Sequence, residues 1–186
     1  MSKLFVDEIV HQSSQGSGTI TIGASGETIN VVGTLQNNGA GVGGTNAPAF
    51  AETKSSQTLA DVTATIIQLD TEVFDTDNCY DTSTYKFTPN VAGKYFIYFK
   101  FYLDSNTWNR ILQIESDILL NGSSVIDRQS FLSNQTTLLS GVGISSTLIT
   151  AMNGTTDYIQ ARIYSDISAG DVFITQAKFG AYKIIE

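Results

Sequence analysis

The densest group of chemistry-bearing side chains in the sequence is the acidic stretch Asp70, Glu72, Asp75, Asp77 and Asp81. Carboxylates spaced in this way are hard oxygen ligands and suit calcium. The EF-hand loop pattern is not met: Cys79 stands where its third ligand belongs, and no glycine follows. Asp75, Asp77 and Asp81 therefore stand as calcium candidates, against the alternative of a solvated acidic loop. No other cofactor is expected.

Nucleophilic chemistry has little to work with. His11 is the only histidine and lies among Gln, Ser and Gly near the start, outside the apolar body of the chain. A Ser-His-Asp or Cys-His arrangement within one chain is therefore not expected. Cys79 is the only cysteine, and an isolated cysteine usually packs as a small hydrophobe. Zinc needs about four Cys, His or carboxylate ligands, which this chain does not assemble in sequence. Gly39-Ala40-Gly41-Val42-Gly43-Gly44 has the dinucleotide-binding spacing, but Thr45-Asn46-Ala47-Pro48 follows it, with no helix to receive a phosphate. Glycoside hydrolysis needs two carboxylates about 5–10 Å apart across a groove. Eighteen acidic residues leave such a pair open, and no local motif singles one out. The chain is expected not to be an enzyme. Asn121-Gly122-Ser123, Asn134-Gln135-Thr136 and Asn153-Gly154-Thr155 fit the glycosylation acceptor, but read here as turns. Tyr102, Trp108 and Tyr164 stand beside polar loops, where exposed aromatics stack on sugar rings or anchor a protein contact.

The elements that position these residues are strands. From Pro48 onward, apolar runs alternate with Asn, Asp, Gly and Ser clusters, which predicts strands over 48–52, 64–69, 85–88, 93–103, 110–120, 142–150, 157–164 and 171–184. In 95–103, Tyr95, Ile97, Phe99, Phe101 and Leu103 share one face, and Phe96, Tyr98, Lys100 and Tyr102 share the other. Both faces are bulky, so the first is assigned to a sandwich core and the second to a subunit interface. No segment keeps a 3.6-residue period with caps. The prediction is an all-β jelly-roll sandwich over residues 47–186.

The first 46 residues differ. Thr19-Ile20-Thr21-Ile22 and Thr28-Ile29-Asn30-Val31 alternate around a Gly-rich turn, and a glycine-rich joint follows at 37–44. With few large side chains, this segment cannot build its own core and is read as a β-rich stalk or anchor.

Composition narrows the partners. Net charge is −8 and charged residues make up 15%, against a typical value of about 25%. No basic footprint for nucleic acid or an anionic membrane is visible. No apolar run of about 18 residues exists, so no membrane insertion is expected, and Met1–Glu8 lacks a signal-type apolar run. One cysteine forbids an intrachain disulfide.

Three stretches carry a resemblance. Pro48-Ala49-Phe50 opens the domain; Tyr85-Lys86-Phe87-Thr88-Pro89-Asn90-Val91-Ala92-Gly93-Lys94-Tyr95-Phe96-Ile97-Tyr98 follows; Phe179-Gly180-Ala181-Tyr182 closes it. In this order they resemble the globular heads of the complement q subcomponent and the tumour necrosis factor superfamily, with Pro89 one place earlier than in the family pattern. Leu119-Leu120-Asn121-Gly122 resembles that family's central Asn-Gly hairpin. The resemblance covers about 48–186. It implies a ten-stranded jelly roll that assembles as a homotrimer without catalysis, with calcium sites near the trimer axis in some members. It makes Phe96, Tyr98, Tyr102 and Tyr182 the trimer-interface candidates. The segment Ser2–Ile9, with Gly18–Ile22 and Thr28–Leu35, is similar to openings of structural and fibre proteins of marine tailed bacteriophages. The collagen-like glycine repeat of the animal family is absent.

Together these readings predict a trimeric virion-surface protein made in the host cytoplasm. It would be a head decoration or short fibre whose residues 1–46 bind other capsid or tail proteins and whose head contacts a host-surface glycan or protein. The alternatives are a carbohydrate-binding module or glycan depolymerase of a phage tail fibre, and a free soluble adhesin.

Overall fold

The computed structural model describes residues 36–37, 40–41, 48–106, 111–133 and 139–185. The chain divides into two compact units, Met1–Gly44 and Thr45–Glu186. In the first, β1 (Gln36–Asn37) pairs antiparallel with β2 (Ala40–Gly41). His11 and the strands expected at 19–22 and 28–31 lie outside the described residues.

The second unit holds β3 (Ala49–Lys54), β4 (Gln57–Leu59), β5 (Thr63–Ile66), β6 (Thr71–Asp75), β7 (Tyr80–Asp81), β8 (Lys86–Phe87), β9 (Gly93–Ser105), β10 (Ile111–Leu120), β11 (Ser124–Leu132), β12 (Gly141–Met152), β13 (Ile159–Ile167) and β14 (Val172–Ile185). All described pairings are antiparallel, and no helix occurs among the described residues. One sheet runs β12-β9-β14-β3-β6, with β4 also on β14. The other runs β11-β10-β13-β8-β7, with β5 also on β13. This is the expected all-β jelly-roll sandwich.

Period-two alternation builds the core. Tyr95, Ile97, Phe99, Phe101 and Leu103 of β9 are all buried, and Ile114, Ile118, Ile159, Ile163, Ile174 and Phe179 meet them from other strands. The three stretches that carry the sequence resemblance converge here. Phe50 stacks on Phe87 at 4.5 Å and meets Phe179 edge-on at 5.1 Å, while Phe87 meets Tyr95 edge-on at 5.8 Å. Residues far apart in the chain thus form one aromatic cluster, in the offset and edge-on arrangements that ring quadrupoles favour. The Tyr95 hydroxyl ties the cluster to the preceding corner by donating to the Val91 carbonyl at 2.6 Å.

The Asn121-Gly122 turn joins β10 to β11 with both residues at positive φ, +54° and +75°, as an Asn-Gly hairpin requires. The Asn121 amide donates to Asp157 at 3.0 Å and accepts from the Tyr158 N–H at 3.0 Å. Asn153 Oδ1 accepts the N–H groups of Thr155, Thr156 and Asp157. Both asparagines therefore act as turn residues.

Four strands of this unit, β4, β6, β7 and β11, lie outside the ranges read from the sequence. β6 and β7 fall inside the acidic stretch, and β6 forms the sheet edge beside β3. β11 is the longest of the four. It is an edge strand paired only to β10, and most of its side chains face solvent, so its sequence shows no clear apolar alternation.

Candidate functional site

The outer face of the β12-β9-β14-β3 sheet carries exposed apolar side chains in register. Strand register sets its rows. Ile149, Phe96, Tyr182 and Ala49 lie side by side across β12, β9, β14 and β3. The next row is Thr147, Tyr98, Gly180, Ala51 and, on β6, Phe74. Phe96 and Tyr182 pack with ring centroids 5.2 Å apart. Ile149 is 61% and Tyr182 50% exposed, and Phe74 is also exposed. Contiguous apolar exposure of this kind marks an interaction site.

Glycine shapes this face. A Cβ on Gly180 would sit 2.5 Å from the Tyr98 ring and hydroxyl, so the absent side chain lets Tyr98 lie across β14. Burial on that bed pushes the Tyr98 phenol above its ordinary pKa. The third row is cationic, with Lys100 directly opposite Lys178, both exposed. Neither has an ion-pair partner among the described residues, and like charges directly opposite one another are destabilising. The fourth row holds Tyr102, beside Gly143 and Gln176. The interface candidates Phe96, Tyr98 and Tyr182 are therefore brought together. Tyr102 shares their face but stands about 20 Å along β9 from Phe96, at six residues of ~3.3 Å each, beyond the lysine row.

No family model matches the chain, and no curated protein matches it. Among solved structures it is similar to the globular domain of the zebrafish complement 1qA protein, with a TM-score of 0.54 and 12% identity over 75% of this chain and 98% of that one. The fold is the complement-q jelly roll. At this identity the likeness speaks for the fold alone. Within that fold, β3, β9 and β14, which carry the outer aromatic row, also hold parts of the three motif stretches read in the sequence.

The remaining site candidates fall elsewhere on the complement-q fold. Asp75 Oδ2 accepts the Tyr80 N–H at 2.7 Å and its Oδ1 the Asp77 N–H at 3.4 Å. Asp81 accepts from the hydroxyls and N–H groups of Ser83 and Thr84, and these bonds, the Ser83 hydroxyl foremost, hold it down to about 2. These carboxylates face donors of their own loop. Among the described residues no three Asp, Glu, His or Cys side chains converge as a metal site. Cys79 is buried, and burial pushes its thiol up, away from the reactive thiolate. Tyr164 is half-buried on the other sheet, opposite Glu115, and Trp108 lies outside the described residues.

Sequence reading missed Phe74 and Ile149. Ile149 was within reach, since strand alternation over 142–150 puts it on the same face as Thr147. Phe74 was hidden among the acids of β6.

Proposed function

We propose that this chain is a homotrimeric, non-catalytic display head on a virion surface, a capsid decoration or short fibre. In this reading residues 47–186 form the head, and residues 1–46 attach it to other virion proteins. The observation that carries the assembly is the Ile149, Phe96, Tyr182 and Phe74 face, an apolar patch on a chain of net charge −8. Three-fold packing removes this patch from water and covers sheet edges. It also presents three copies of any weak contact to a host-surface glycan or protein, so that avidity raises the net affinity. The virion assignment rests on the phage-like opening of the sequence.

Tyr182→Glu tests the assembly. The charge should split the trimer to a species near 20.1 kDa with an unchanged circular dichroism spectrum; an unchanged mass would count against this face. Deletion of residues 1–46 tests the attachment. The truncated chain should remain soluble and be absent from purified particles, and its incorporation would refute the anchor.

A further inference from the structure

At the far end of the outer face, Tyr102 is held in a way that no contact with the apolar row explains. Its phenol lies along β12 over two glycines. A Cβ on Gly141 would collide with the Tyr102 hydroxyl, and one on Gly143 would approach the ring edge to 3.3 Å. Two glycines on one face of the strand thus leave the room that the ring edge and hydroxyl occupy. The ring remains 47% exposed.

Beside it opens a hollow of about 380 Å³ lined by Tyr102, Asp104, Ser105, Asn106, Ser140 and Gly141. That volume falls in the ordinary range for a small-ligand site, roughly 300–1,000 Å³. The walls are braced. The Ser105 N–H donates to the Ser140 carbonyl at 2.8 Å and to Asp104 Oδ1 at 2.9 Å. Asn106 and Asp171 bond reciprocally: the Asn106 N–H donates to the Asp171 carbonyl at 3.3 Å, and the Asp171 N–H donates to Asn106 Oδ1 at 3.2 Å. The ends of β9, β12 and β14 are thereby tied together before any ligand arrives, which lowers the ordering cost of binding.

We infer that this hollow is a binding site for a neutral pyranose ring. A flat aromatic surface suits the apolar C–H face of a sugar, and the carboxylate, amide and hydroxyl groups at its edge suit the ring hydroxyls. Local charge balances: Asp104 and Asp171 on one side of Tyr102 offset Lys100 and Lys178 on the other, so the site carries no net charge for an ionised sugar to answer and suits a neutral one. The inference rests on the display-head reading for its biological sense, but not on three-fold assembly.

The test uses the full-length protein on a printed array of neutral hexose oligosaccharides, with the solution mass of each variant measured alongside. Wild type should bind a subset of neutral glycans. Tyr102→Ala should lose about tenfold or more of that binding at unchanged mass, as truncation of an anchoring tyrosine does. Tyr102→Phe should retain it, and Gly143→Ala, which crowds the ring edge, should lose it while Tyr102 remains. Absence of any neutral-glycan binding by wild type would overturn the site, as would undiminished binding by Tyr102→Ala. A Tyr102→Ala protein that falls to a lower mass would make the ring a subunit contact instead, and would overturn it too. A wild-type monomer that binds sugar through Tyr102 would leave this site standing and remove only the trimer.

Discussion

Replacing Asp117 by alanine should destabilise the head by about 3 kcal/mol at pH 7, read as a lower urea midpoint with an unchanged m-value. Asp117 lies on β10 directly opposite Arg128 of β11 and Arg162 of β13, so three neighbouring strands present Arg-Asp-Arg in one row. Its side chain has 0% exposure. Oδ1 accepts Arg128 Nε at 2.7 Å; Oδ2 accepts Arg128 Nη2 at 3.0 Å, Arg162 Nε at 3.0 Å and Arg162 Nη2 at 2.6 Å. Glu115 adds a second carboxylate at 3.0 Å from Arg128 Nη1. The four charges cancel. Removing Asp117 leaves Glu115 to Arg128 and strips Arg162 of its ion-pair partner among the described residues, and Arg162, at 24% side-chain exposure, has little water to replace it. Arg128 is 45% exposed and rehydrates, which places the effect near the lower end of the ~3–5 kcal/mol known for broken buried pairs. Burial pushes the Asp117 carboxyl up, but the bonds from Arg128 and Arg162 outweigh it and hold it below the usual range. A depressed carboxyl contributes its stability above the unfolded value and loses it as the pH falls through the folded one, so the wild-type advantage over Asp117→Ala should shrink in acid below about pH 4. A change under about 1 kcal/mol at pH 7 would mean that the row is ordinary surface charge.

Glu52 should behave in the opposite way. Glu52→Gln is expected to stabilise the head by about 3 kcal/mol at pH 8 and by almost nothing at pH 4. Glu52 stands two residues after Phe50 on the core side of β3, is 1% exposed, and neither carboxylate oxygen has a hydrogen-bond partner among the described residues. Its cross-strand neighbours are Phe179 on β14 and Glu72 on β6. Burial, then the charges of Glu72, Asp75 and Asp70, raise its carboxyl to about 7. The sign follows from that direction. Below the ordinary value of 4.5 the carboxyl is neutral both folded and unfolded. As the pH rises further, the unfolded chain ionises first, and the stabilisation is lost by the time the pH passes about 7. Wild-type melting temperature should therefore decline from pH 5 to pH 8, while Glu52→Gln stays flatter across that window. Parallel curves for the two proteins would show that Glu52 finds a charged partner the isolated head lacks.

The parts of the fold legible in the sequence were those with a strict local signature. Tyr95 to Leu103 alternates cleanly because β9 is central in its sheet, and Asn121-Gly122 announces a hairpin because few other pairs accept two positive φ angles. Phe96, Tyr98 and Tyr182 could be grouped as one surface from β9 alternation and a family-like closing motif. The rest depended on register. Asp117 and Glu52 read as stray acids within apolar runs, and only cross-strand pairing reveals that one meets two arginines and the other meets Glu72. β6 was hidden because Glu72 and Asp75 look like loop ligands, and β11 because an edge strand needs no apolar face. Gly141 and Gly143 are likewise silent in sequence, since their role is to leave room for a tyrosine on the neighbouring strand, and Gly180 was visible only as part of the closing motif.

The central claim is that the aromatic face of β9 and β14 is covered by copies of the same chain. Light scattering on the full-length protein tests it most directly. A mass of three times 20.1 kDa, constant over a wide dilution range, is the predicted result. A monomer of 20.1 kDa with the Ile149, Phe96 and Tyr182 face open to solvent would contradict it.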